Sequence, residues 1–442
     1  MTASAPEADT PSDAGATPST PDSAGSRIPW GSPTVRVVLL STLLAPLGVP
    51  LVSPTLPVVR DAFGVSDATA SLLISAYFVA GIVLSPFIGA LADRLGRRLV
   101  LGTSLVVFGL AGGAIVFAPS FAAVLLVRVV QGTASAGIFV ATITIVGETF
   151  EDTQRNAVLG VNNAVLSVGA AIFPVVGGAL VAISWDAPYL LYLLAIPLGA
   201  VAWIVLDEPA RSDADRDAGS TGGSTESTAD TDGSVTLDAA YVRGVLAAVG
   251  TTGVVAMFVA TFAAELLLFG AILTAVPFLL TASYGLAPAI VGGILMLAEG
   301  VSVVVSAANG RFASRFSNPT IVATGFGCLA AGLAIAWLAP TVGGITAGCA
   351  IIGAGVGLVL PSVDAEVSDL VASRYLAGAL SLRNSTTFLG RTLGPVAFAA
   401  IAATTGYAPL LLASAVAALA VAGLVAGSGF VGARDPIVPR RA

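Results

Sequence analysis

Apolar side chains run along this chain in blocks of about the length that a bilayer-crossing helix needs, roughly 20 residues. The blocks fall near 35–59, 68–91, 99–118, 121–147, 157–182 and 187–206, and again near 252–281, 287–310, 319–339, 342–367, 376–402 and 408–429. Six spans precede a polar segment and six follow it, which predicts an all-α integral membrane protein of 12 transmembrane helices. Two stretches interrupt the pattern. Residues 1–34 and about 207–240 are rich in Asp, Ser, Thr, Gly and Pro and nearly free of large apolar side chains. Such segments bury too little apolar surface to offset the entropy of ordering, so a disordered tail and a flexible linker are expected.

An internal repeat fixes the architecture. A constant offset of 221 positions superposes Gly89 on Gly310, Arg94 on Arg315, Pro119 on Pro340 and Gly132 on Gly353. The same offset superposes Glu148 on Asp369, Asn163 on Asn384, Gly169 on Gly390 and Pro174 on Pro395. Carried back to the first span, it places the seventh near 257–280 and makes 241–252 a lead-in. A six-helix unit has even parity, so the two copies form parallel repeats (6+6) around a central cavity. Nearly all the arginines outside the spans fall on one side of this topology and only Arg60 falls on the other. By the positive-inside rule both termini are expected in the cytoplasm, N-in/C-in. The expected organisation is a cytoplasmic tail (1–34), an N-terminal bundle (35–206), a cytoplasmic linker (207–251), a C-terminal bundle (252–430) and a final tail (431–442).

Composition removes whole classes of chemistry. Hydrophobic residues make up 56% of the chain and charged ones 10%; all 19 basic residues are Arg, with no Lys and no His. Without Lys there is no phosphate-binding loop of the G-x-x-x-x-G-K type and no Schiff base. Without His the usual zinc, haem and Ser/His arrangements are gone. Cys328 and Cys349 stand isolated in apolar runs, with no ligand spacing. No enzyme, cofactor, metal site or nucleic-acid partner is expected; the partners expected are the lipid bilayer and a small molecule.

The motifs now add a resemblance. "GALADRLGRR" (Gly89, Leu91, Asp93, Arg94, Gly96, Arg97, Arg98) resembles the signature between the second and third helices of the major facilitator superfamily. "RVVQG" (Arg128, Gln131, Gly132) resembles that superfamily's proton-coupling motif. "GAAIFPVVGG" (Gly169, Pro174, Gly177, Gly178) resembles the motif of its 12-helix drug/proton antiporters, with Phe173 where those exporters carry Gly. The C-terminal copy keeps Gly390, Gly394 and Pro395, while Ser314 replaces the counterpart of Asp93. The resemblance implies a multi-pass transporter of the cytoplasmic membrane, acting as a monomer by alternating access. Gly89, Asp93, Arg94, Gly96, Arg97 and Arg98 are then a cytoplasmic gate, with Asp93 facing the start of the eleventh span near Arg374 to Gly378. The glycines and prolines of the third motif read as close helix packing, since small residues let membrane helices approach.

Five ionisable residues lie deep in the spans: Arg128, Glu265, Glu299, Arg383 and Arg391. Each costs about 2.5–3.5 kcal/mol on insertion scales, so a functional role is the default. The 221 offset pairs them with Cys349, Leu44, Phe78, Asn162 and Ala170, so none is duplicated. Helical spacing groups Arg128 with Gln131, Ser135 and Thr142; Glu299 with Ser302, Ser306 and Asn309; and Arg383 with Thr387 and Arg391, beside Asn384. One reading has these stripes face a water-filled cavity, with Gln131, Ser135, Asn163, Arg383, Asn384, Thr387 and Arg391 toward substrate. Glu265, Glu299 and Arg128 are then the proton-coupling candidates, because a moving Arg changes a carboxyl's hold on its proton. The other reading has Glu265 or Glu299 pair with Arg383 or Arg391 as structural locks. The function expected is proton-coupled efflux of hydrophobic or amphipathic compounds. Proton-linked or facilitated uptake of a polar or anionic nutrient is the alternative, the Arg-rich eleventh span favouring an anion, and a transporter-like sensor or scaffold is a third reading.

Overall fold

The structure is a computed structural model that describes residues 28–206 and 239–432, without side chains at 83–94, 152, 239–240 and 429–432. Thirteen helical elements follow one another with no strand among the described residues. The N-terminal half holds α1 (Pro33–Phe63), α2 (Asp67–Leu95), α3 (Arg97–Phe117), α4 (Phe121–Thr149), α5 (Asp152–Leu180) and α6 (Ala187–Val205). A short helix, α7 (Ala239–Val249), leads into the C-terminal half, where the linker was expected to run on to 251. Then come α8 (Thr252–Tyr284), α9 (Pro288–Ala313), α10 (Asn318–Leu338), α11 (Val342–Leu370), α12 (Ser373–Thr405) and α13 (Tyr407–Gly432). Of the 12 long helices, 11 are also apolar enough over their described residues to cross a membrane; α2 carries the undescribed side chains.

The repeat governs the backbone in detail. Gly64 and Gly285, 221 apart, cap the first span of each half in the left-handed region at φ 62° and 61°, a conformation open to Gly at no steric cost. Ser120 and Thr341 cap α4 and α11 by accepting from the N–H three residues on, at 3.3 and 3.1 Å. A Cβ on Gly132 would lie 1.8 Å from Tyr77 O, and one on its counterpart Gly353 would lie 2.1 Å from Ala298 O, itself the counterpart of Tyr77. Both glycines therefore let α4 and α11 press backbone to backbone against α2 and α9. Within each half α3 packs on α4 and α6, as α10 packs on α11 and α13. The halves meet through two symmetry-related pairs, α2 with α12 and α5 with α9.

The first span of each half is broken at the same level. In α1, prolines 46, 50 and 54 interrupt the helix with 3-10 turns at Ala45–Gly48 and Ser53–Thr55. In α8 the matching stretch, Leu268–Ala275, is wound as a π-helix, and Thr274 donates to Phe269 O five residues back. The two irregular segments touch, with Ser53 donating to Leu273 O at 2.5 Å.

Candidate functional site

Contacts between the halves gather toward the end remote from the termini. A Cβ on Gly178 would lie 2.2 Å from Pro288 O, and one on Gly292 would lie 2.2 Å from Pro174 O, so α5 and α9 meet there without intervening side chains. Ser75 donates to Thr392 O at 2.6 Å across α2 and α12. At the rim, Asp67 accepts from Arg60 at 2.8 Å and from Tyr407 of α13 at 3.0 Å, and the Arg60 guanidinium lies 5.8 Å from the Phe278 ring centroid. Among the described residues, Gly160, Gly300 and Gly310 on the same α5 and α9, toward the terminus-bearing end, meet nothing within 4 Å of an added Cβ, and neither does Gly293 beside Gly292. A hydrogen bond to a charged group contributes about 1.5–3 kcal/mol when buried, and less at partly exposed Asp67. Tyr407→Phe deletes only the cross-half donor at the rim, so in a background already carrying Ser53→Cys, maleimide labelling of that cysteine should rise several-fold when Tyr407→Phe is added, as the remote end opens more often.

One ion pair of the C-terminal half reaches this seam, and the other ionisable residues lie on the helices around it. Arg391 of α12 grips Glu265 of α8 with two hydrogen bonds, Nε to Oε2 at 3.0 Å and Nη2 to Oε1 at 2.9 Å. Its guanidinium lies 5.5 and 5.1 Å from the Phe78 and Phe269 ring centroids. Phe78 belongs to the N-terminal half and packs edge-on against Phe269 at 5.1 Å, so an aromatic from one half covers the ion pair of the other. Glu265 is 2% exposed and Arg391 30%. Glu299 of α9 makes no hydrogen bond or ion pair with the described residues. It lines a crevice of about 10 Å³ with Leu268, Ile272, Ser302, Ile352 and Val356, about the space one water needs. Glu265 and Arg391 lie within its electrostatic range.

Arg383 pairs with neither of these glutamates. Its partner is Asp364 of α11 at 3.0 Å, a residue the sequence reading left unassigned. Asn384 and Ser135 are half-buried, Asn163 is exposed, and Thr387 is buried with no partner for its hydroxyl among the described residues. On α9, Asn309 turns away from the seam and donates to Ser362 of α11 at 3.0 Å.

Arg128 stands elsewhere. It is fully buried in the N-terminal half and donates to Gly48 O, to Leu73 O at 3.0 Å, to Gln131 Oε1 at 2.6 Å and to Tyr192 OH at 3.3 Å. Tyr192 in turn donates to Leu47 O at 2.5 Å, and the Arg128 guanidinium lies 4.7 Å from the Tyr77 ring centroid. The break in α1 frees the carbonyls of Leu47 and Gly48, and this cluster satisfies them, as irregular backbone at membrane depth requires. Its stripe does not line an aqueous cavity: Gln131 and Thr142 are buried too, and Thr142 donates to Ile138 O on its own helix.

The packing motif is placed as glycine contacts. Gly169 and Gly177 face Leu43 O and Leu51 O of α1, while Gly390 and Gly394 face Phe262 O and Leu266 O of α8. Pro174 and Pro395 are both buried within their helices. In the gate motif, Gly96 turns the chain from α2 to α3 at φ 90°, and Arg97 pairs with Glu148 at 2.7 Å. Arg98 is half-buried, and Gly89, Asp93 and Arg94 lie outside the described side chains.

Comparison with known proteins follows the same course. The sequence profile of the Major Facilitator Superfamily matches residues 38–395. The bacillibactin exporter of Bacillus subtilis is 26% identical over 381 residues, covering 83% of this chain and 89% of that protein. The quinolone resistance protein NorA of Staphylococcus aureus is 28% identical over 172 residues, covering 39% of this chain and 43% of its own length. Among solved structures, a bacterial homologue of the human lysosomal transporter Spinster, inward-facing and occupied, superposes with a TM-score of 0.71 at 16% identity, over 92% of this chain and 98% of that one. A D-xylose-proton symporter superposes at 0.70 with 14% identity, over 89% and 96%. With two six-helix halves, the signature motifs and this match over most of its length, the chain belongs to the Major Facilitator Superfamily: it is a multi-pass membrane transporter and not an enzyme.

Proposed function

We propose that this transporter exports hydrophobic or amphipathic compounds in exchange for protons. The observation that carries this reading is the charge pattern at the seam. Arg391 is neutralised by Glu265 and Arg383 by Asp364, whereas Glu299, the other of the two glutamates predicted deep in the spans, has no ion partner among the described residues. Burying an uncompensated charge costs several kcal/mol. A proton, or a cationic group on the cargo, offsets that cost, and the two cannot do so together. Competition for one carboxyl is the simplest physical basis of exchange. The same charge pattern removes the argument for an anionic cargo at the seam, because Arg383 and Arg391 of α12 are already paired. The exporters similar in sequence support the outward direction.

The arginine distribution supports a cytoplasmic terminus-bearing end, and halves joined at the remote end suit uptake of cargo from the cell interior. Proton binding from the remote side then resets the carrier. Proteoliposomes loaded with lipophilic cations, neutral amphipaths and organic anions, with and without an imposed pH gradient, test the reading. Gradient-driven movement of the lipophilic cations is expected, and gradient-driven movement confined to the neutral or anionic classes would overturn the reading. Asp93 is assigned to the cytoplasmic gate, where it meets the start of α12 when that end closes. Asp93→Asn should lower turnover while equilibrium cargo binding stays at the wild-type level. Wild-type turnover in that variant would reduce the motif to a topological anchor.

A further inference from the structure

Tyr375, Gly378, Leu382, Ser385, Thr386 and Leu389 follow a three-to-four spacing and form one stripe of α12. Helix α7 covers its first turns. A Cβ on Gly378 would lie 2.7 Å from Val245, one on Gly244 would lie 2.4 Å from the Tyr375 ring, and the Tyr241 and Tyr375 rings sit 5.9 Å apart. At Val249 the covering helix ends, and the stripe continues as the floor of a groove of about 340 Å³ walled by Val249, Phe258 of α8 and Ile82 of α2. The hydroxyls on that floor are spent within their own helix: Ser385 donates to Ser381 O and Thr386 to Leu382 O. The groove is therefore apolar in effect, and it lies in a membrane-spanning part of the chain, where the surrounding solvent is hydrocarbon. At its mouth α7 exposes Val242 and Leu246 beside Arg243. The first turn of α12 presents Arg374, with its guanidinium 4.6 Å from the Tyr375 ring centroid. Apolar residues, tyrosines and arginines grouped at one level mark a bilayer interface.

We propose that an anionic phospholipid binds here, one acyl chain in the groove below α7 and its phosphate at Arg374 and Arg243. The groove volume lies at the low end of the roughly 300–1,000 Å³ that small-molecule sites occupy. Ile82 belongs to the N-terminal half and the other lining residues to the C-terminal side, so the lipid bridges the seam and responds to the relative position of the halves.

The test uses the full chain in nanodiscs containing phosphatidylglycerol with a photoactivatable group midway along one acyl chain, compared with the same probe on phosphatidylcholine. Adducts are expected on residues 382–389 and Phe258, with phosphatidylglycerol favoured about five-fold, the contribution of one interfacial arginine. Arg374→Gln should remove that preference, and Thr386→Trp, which fills the groove, should move the adducts elsewhere. Adduct yields no higher than at exposed Ile204 of α6 or Val416 of α13 would overturn the site. Equal labelling by the two headgroups would overturn the placement of the phosphate.

Discussion

In a Glu299→Gln transporter, an imposed pH gradient should no longer drive accumulation, while exchange of labelled for unlabelled cargo at equal pH continues. Gln keeps the volume and polarity of the protonated carboxyl and removes its titration. Coupling between two ligands is typically about 1–3 kcal/mol, or about 5–150-fold in affinity, so cargo affinity in the wild type should change by a factor in that range across the titration of Glu299. In the variant it should be flat with pH. Glu265 offers the contrast. It already holds Arg391 through two hydrogen bonds at 2% exposure, and breaking a buried pair costs about 3–5 kcal/mol. Glu265→Gln should therefore show itself first as lost thermal stability. Retained gradient-driven transport in Glu299→Gln would move the coupling role away from the seam.

Arg128→Gln should give the largest loss of folded protein of any single change considered. The guanidinium serves four acceptors on three other elements and its own helix: Gly48 O, Leu73 O, Tyr192 OH and Gln131 Oε1. Each buried acceptor left unsatisfied costs about 1–3 kcal/mol, and the sum approaches the about 5–15 kcal/mol by which native proteins are stable. Monodispersity and melting temperature in detergent are the measurements. Lys should rescue only in part, since it lacks the planar fork that reaches several acceptors at once and stacks over Tyr77. A variant that melts like the wild type yet loses gradient-driven transport would instead return Arg128 to proton coupling.

Particular residues show how far the sequence could be read. The offset of 221 was legible because Gly, Pro and cap positions are set by backbone geometry: Gly132 and Gly353 are identical because each faces a carbonyl at a distance that admits no Cβ. Ion partners were not legible at that level. Which carboxylate meets Arg383 depends on how α11 and α12 are rotated, and Asp364 hid beside Glu366 and Asp369 in what reads as a solvated helix end. The partners of Arg128 were hidden for a different reason. Two of its four partners are backbone carbonyls, and the signal for the one in α1, Gly48 O, lay in prolines 46, 50, 54 and 57, which announce a broken helix. The aromatic cover of Phe78 over Arg391 crosses between halves and follows only from their docking.

Arg97 and Glu148 form an ion pair at 2.7 Å, with side chains 22% and 35% exposed. Their counterparts at the 221 offset are Asn318 and Asp369, joined by a long contact of 3.5 Å with only one charge. The same joint between neighbouring helices is thus ionic in one half and merely polar in the other. Mobile ions weaken attraction between partly exposed opposite charges, with a screening length of about 8 Å at physiological ionic strength. The neutral–charged joint has far less to lose. Rising electrolyte concentration therefore slackens the α3–α4 joint and leaves its α10–α11 counterpart nearly unchanged, so matched joints in two domains of common descent meet the same medium with unequal stiffness.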